Sequence, residues 1–91
     1  MTFSAAVIVP HYRDPARLRL CLASLVPQAD ARIEIVVIDN DSGIDMRGLQ
    51  AAFPTVRFLN EPTKGAAPAR NLGVRESSAP LLFCAPLLGS T

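Results

Sequence analysis

Apolar residues fall along this chain in two patterns that alternate. One is a short, nearly unbroken run: residues 5–9 (AAVIV), 33–38 (IEIVVI) and 81–84 (LLFC). Such runs predict strands buried on both faces, because a parallel sheet carries helices on each side. Residues 55–59 (TVRFL) alternate instead and predict a third, more exposed strand. The other pattern recurs every third or fourth position. Leu18, Cys21, Leu22 and Leu25 form one apolar stripe at i, i+3, i+4 and i+7. Asp14-Pro15 supplies a cap and a first helical proline before it, and Pro27 closes it. A weaker helix carries Met46, Leu49, Ala52 and Phe53, with Asp45 as the candidate cap and Pro54 as the end. Residues 66–76 are alanine-rich and helical, with Pro68 tolerable only in the first turn.

Strand and helix thus alternate with short connections. The expectation is an α/β fold: a Rossmann-like parallel sheet of about four strands with three flanking helices, one domain over residues 1–91. Right-handed crossovers bring the polar loops 10–14, 39–45 and 60–65 to one edge of the sheet. Open α/β sheets bind ligands outside the carboxyl ends of their strands. The run IEIVVIDNDSG, in which apolar residues give way abruptly to acidic and amide groups, therefore makes Asp39, Asn40 and Asp41 the first place to look for function.

Composition narrows this reading. A hydrophobic content of 49% over 91 residues argues for a globular domain. A net charge of +1 and five aromatic residues speak against nucleic-acid and anionic-membrane binding. The longest apolar stretch, residues 79–88, is far short of the ~20 residues that span a bilayer, and no basic segment precedes an apolar core at the N-terminus. Cys21 and Cys84 sit in apolar surroundings without metal-ligand spacing, as reduced thiols of a cytoplasmic protein would.

Among chemistry-bearing residues, Asp39 stands first. A carboxylate at a strand's carboxyl end can accept from a ribose hydroxyl or a base N–H, and the same carboxylate could instead cap the following turn. Asn40-Asp41-Ser42-Gly43 is a good turn sequence in its own right, and Asp41 and Asp45 suit turn and cap duties. Arg70 and Asn71 lie on the third helix after a glycine-containing loop, where an arginine can face a phosphate or solvent. Lys64-Gly65 is too short for a phosphate-binding loop, and neither GxGxxG nor GxxxxGK[ST] occurs. His11, the one histidine, reads as a polar loop residue rather than a general base. There is no cysteine–histidine cluster for zinc and no GxSxG nucleophile elbow.

Three segments carry a family resemblance. VIVPHYRDPARLRLCLASL resembles the opening of family 2 glycosyltransferases, where a strand ends in a Pro-x-Tyr loop and a leucine-rich helix follows. IEIVVIDNDSGID is similar to that family's second strand and aspartate-containing turn, and VRFLNEPTKGAAPARNLGVRESSAPLLF to its third strand, Ala-Arg-Asn-x-Gly helix and fourth strand. The resemblance implies a GT-A fold whose N-terminal half binds the nucleotide of a sugar donor, often uridine diphosphate (UDP). It implies that Pro10 and Tyr12 line the floor and wall of the base pocket, that Asp39, with Asp41 beside it, contacts the base or ribose, and that Arg70 lies near the nucleotide.

The chain also departs from the family. After the fourth strand the family presents Asp-x-Asp, which holds Mn²⁺ or Mg²⁺ against the donor's diphosphate. Ala85 and Leu87 fall at those positions, and neither side chain can bind a metal. The acceptor-binding half and its catalytic carboxylate are expected to be missing as well. The expectation is a truncated donor-binding half, binding a nucleotide-diphosphate sugar but inactive alone. The alternative is a non-catalytic remnant that self-associates through the apolar residues 81–88. A phosphoacceptor receiver domain is disfavoured: its acidic pair would follow the first strand, whereas Asp39 and Asp41 follow the second.

Overall fold

The computed structural model describes residues 3–77, 79 and 81–84. Their order is β1 (Ala5–His11), α1 (Pro15–Leu25), a 3-10 turn (Val26–Gln28), β2 (Ile33–Asp39), α2 (Arg47–Ala52), β3 (Arg57–Asn60), α3 (Ala66–Glu76) and β4 (Leu81–Cys84). The strands form one parallel four-stranded sheet in the order β3-β2-β1-β4. Three helices and about four strands are what the hydrophobic pattern predicts.

The unbroken apolar runs now have their physical reason. Val9, Ile35 and Val37 point to one face, where Leu18, Cys21, Leu22 and Leu49 cover them. Ala6, Ile8, Val36 and Ile38 point to the other, against Ala69 and Ala79. Successive residues of one strand feed two different cores, so no position in the middle of β1 or β2 can be polar. On the second face α3 comes very close. A Cβ added to Gly73 would stand 2.6 Å from Ile8 Cγ2, so the glycine is required by the approach of helix to strand.

Several boundaries differ from the sequence reading. β1 does not stop at Pro10 but continues to His11, in register Pro10↔Ile38 and His11↔Asp39. The His11 carbonyl accepts the Asn40 N–H at 2.8 Å, so His11 directs its backbone groups toward β2. Pro10 then turns its nitrogen to the β4 side, beyond Ile8↔Cys84, the last registered pair among the described residues. β2 runs one residue further, through Asp39, and β3 is shifted to Arg57–Asn60 by a turn in which the Val56 N–H donates to the Phe53 carbonyl. Met46, not Asp45, is the N-cap of α2. Asp45 lies one residue earlier, accepts the Arg47 N–H and pairs with its guanidinium, which holds the carboxyl below the usual range. Asp14 caps α1 as expected, accepting the Arg17 N–H at 3.2 Å.

The chain moves outward from β1 to β2 to β3, and α3 then carries it back to set β4 on the other side of β1. That reversal is the point where open sheets form a crevice at their carboxyl edge. No helix among the described residues is long and apolar enough to cross a membrane. The predicted Asp-x-Asp positions, Ala85 and Leu87, and the rest of residues 85–91 lie outside the described residues.

Candidate functional site

A pocket of about 410 Å³ opens at the carboxyl edge of the sheet, lined by Pro10, His11, Tyr12, Asn40, Lys64, Gly65 and Ala69. Three strand ends and the first turns of α3 contribute to it. The residues behind its wall determine its shape.

His11 is not a loop residue. It is the last residue of β1 and is fully buried. Its Nε2 accepts the Asp14 N–H at 2.9 Å, which assigns the proton to Nδ1; that N–H donates to Asp39 Oδ1 at 3.0 Å. The neutral imidazole thus joins the end of β2 to the loop that carries Tyr12. The same Asp39 oxygen accepts the Ser42 hydroxyl at 2.7 Å. The turn-holding reading of Asp39 is therefore realised through Ser42. Its second oxygen has no partner among the described residues, and the side chain keeps 12% of its surface open.

Asn40 organises the next loop. Its Nδ2 donates to the carbonyls of Thr63 at 2.8 Å and Glu61 at 3.3 Å, and its Oδ1 accepts the Gly65 N–H at 2.8 Å. A buried carboxamide that satisfies both its donor and acceptor sides in this way fixes the β3–α3 loop against β2. Glu61 adds a turn of its own, accepting the Thr63 N–H. Gly65 takes φ +123°, a backbone that side-chain-bearing residues rarely adopt.

Of the residues singled out in the sequence, Pro10 and Tyr12 line the pocket. Tyr12 is 47% exposed, with the Lys64 ammonium 4.6 Å from its ring centroid and the Arg13 guanidinium at 5.6 Å. Asp39 stands one residue behind the wall, in contact with it through His11. Asp41 takes a left-handed backbone (φ +57°) and contributes its carbonyl, which accepts from Lys64 Nζ at 3.1 Å. Arg70 is exposed on α3, next to the pocket residue Ala69. Sequence reasoning pointed to Asn40 without its clamp on the β3–α3 loop, and set Lys64 and Gly65 aside because no phosphate-loop motif surrounds them. Their position in the third polar loop of the same sheet edge was the available signal.

The described pocket lining offers no carboxylate, and the imidazole and carboxamide in it are already saturated by protein partners. Among the described residues no three His, Cys, Asp or Glu side chains gather to hold a metal. The described side chains around the pocket do not fit a divalent cation.

The sequence model of glycosyl transferase family 2 matches residues 6–85, from the second residue of β1 past the end of β4. The chain belongs to this family. It is 33% identical over 79 residues to an uncharacterized glycosyltransferase of Haemophilus influenzae, covering 86% of this chain and 27% of that protein. It is 32% identical over 77 residues to the uncharacterized glycosyltransferase YibD of Escherichia coli K12, covering 80% and 22%. To the glycosyltransferase AglE of Haloferax volcanii it is 26% identical over 84 residues, covering 85% and 28%. The chain therefore spans between about a fifth and three-tenths of the length of these relatives. The family membership agrees with the fold, a parallel sheet flanked by helices as in the N-terminal Rossmann-like region of a GT-A fold.

Proposed function

We propose that residues 1–91 act as one donor-binding unit that takes a nucleotide-diphosphate sugar, with UDP as the nucleotide, for glycosyl transfer to an acceptor hydroxyl. The observation that carries this is the pocket at the carboxyl edge beside the strand-order reversal, walled by Pro10 and Tyr12 and backed by the His11–Asp39 pair. The Tyr12 ring offers a face for the base, and Pro10 forms the floor. On this reading the open Asp39 oxygen accepts from a base N–H or ribose hydroxyl, and Asp41 and Arg70 are assigned to the nucleotide with it. In transfer, the acceptor oxygen bonds to the anomeric carbon as the bond to the diphosphate breaks, and the acceptor proton goes to a base. No described side chain in the pocket is free to serve as that base, so on this reading the unit binds the donor without transferring its sugar alone. Such a donor is a cytoplasmic metabolite, and we place the protein there.

Amide chemical-shift mapping with UDP tests the reading. Shifts are expected at His11, Tyr12, Asn40 and Gly65. Shifts confined to the second cavity at the amino edge, which Phe3, Val26 and Ile33 help to line, would overturn it. The alternative of a self-associating remnant rested on residues 81–88, of which 81–84 pair along β1 and the rest lie outside the described residues; no observation favours it.

A further inference from the structure

Among the described residues lining the pocket Lys64 is the one charged side chain, and no described carboxylate pairs with it. Its ammonium rests on neutral groups alone: the Asp41 carbonyl at 3.1 Å, the Tyr12 hydroxyl at 3.5 Å and the Tyr12 ring. Those contacts belong to the loops after β1 and β2, so one exposed lysine from the third loop bridges the other two across the mouth.

Its backbone, by contrast, is fixed. Asn40 holds the Thr63 carbonyl on one side of Lys64 and the Gly65 N–H on the other, each at 2.8 Å. The Cα of Lys64 is thereby anchored while its four-carbon side chain stays in solvent at the rim. A lysine held there only for stability would contribute little, since exposed charges have weak, screened contacts. A three-donor cation whose acceptors are all neutral has, however, much to gain from an anionic oxygen, because charge-assisted hydrogen bonds are about twice as strong as neutral ones.

We infer that Lys64 receives the donor's diphosphate, exchanging the Asp41 carbonyl for a phosphate oxygen and leaving the Tyr12 ring to the base. This rests on the donor-site reading above and adds to it the residue that recognises the anionic part. Where the described lining has no carboxylate to hold a divalent cation, this ammonium supplies positive charge. Lys64 thus separates a nucleoside diphosphate from the bare nucleoside.

The test is a calorimetric comparison of uridine and UDP on the wild-type chain, Lys64→Met and Lys64→Arg, with circular dichroism showing each to be folded. Lys64→Met is expected to bind UDP roughly tenfold more weakly, the size of one charge-assisted bond at a partly exposed site, with uridine affinity unchanged. Lys64→Arg is expected to recover most of the loss, and raised salt to narrow the gap between wild type and Lys64→Met. Equal UDP affinity in wild type and Lys64→Met overturns the inference and leaves the donor site standing. An equal loss for uridine and UDP also overturns it, since the lysine would then be shaping the Tyr12 wall. A folded wild type that binds neither ligand sinks the donor-site reading, and this inference with it.

Discussion

Replacing His11 by alanine is the sharpest probe of how the pocket is held. The ring is fully buried and spends both nitrogens, one on the Asp39 carboxylate and one on the Asp14 N–H. Removing it costs one bond to a charged group, about 1.5–3 kcal/mol, and leaves the part-buried Asp14 N–H without an acceptor for about 1 kcal/mol more. The cavity adds to this, while Ser42 still serves the carboxylate and limits the loss. About 3–4 kcal/mol is the expected total, a large fraction of the roughly 5–15 kcal/mol that stabilises an ordinary domain. In urea, with a slope of about 1–2 kcal/mol per M for a small domain, the midpoint should fall by roughly 2–3 M. His11→Asn can still offer an N–H to Asp39 from near the Nδ1 position and should lose about half as much. If His11→Ala unfolds within about 0.5 kcal/mol of wild type, the imidazole is not holding these loops together. If His11→Asn is as damaging as His11→Ala, the Asp39 contact is not the larger share.

Asn40→Asp turns a carboxylate oxygen toward the Glu61 and Thr63 carbonyls and keeps only the Gly65 contact; thermal unfolding should register a loss of about 2–4 kcal/mol, and an unchanged midpoint would contradict the clamp. Gly73→Ala sets a Cβ 2.6 Å from Ile8 Cγ2 and 2.9 Å from Cδ1 in a buried side chain. Overpacking of about 1–3 kcal/mol there outweighs the roughly 1 kcal/mol gain in helix propensity, so net stabilisation in a denaturant series would refute the close approach. Cys21 is buried, and burial pushes its thiol up; in a Cys84→Ser background a thiol reagent should react slowly at neutral pH until denaturant is added, and immediate stoichiometric labelling would place the thiol at the surface.

The sheet was legible in the chain because a strand buried on both faces has no room for polar residues, and β1 and β2 feed two cores with alternate side chains. The edge that carries the pocket was legible for the same reason: polarity begins where the covering helices end. Pro10 misled because a proline looks like the end of a strand, whereas its register with Ile38 carries β1 on to His11. His11 misled in a different way. Its two partners, Asp14 and Asp39, lie on separate segments, and a pairing 28 residues apart has no local pattern. The contacts of Lys64 and Asn40 were hidden likewise, since they join loops that become neighbours only after three strands have paired.

Calorimetric titration of UDP into the folded wild-type chain and into Tyr12→Ala tests most directly whether the carboxyl-edge pocket takes a nucleoside diphosphate, because Tyr12 is half exposed and its removal should leave the fold intact. Saturable one-to-one binding to the wild type is expected, with a loss of at least about tenfold in Tyr12→Ala, the scale of one base–aromatic stack. A folded wild type that binds no UDP, or a Tyr12→Ala chain that binds it as tightly, would mean that the pocket is not the nucleotide site.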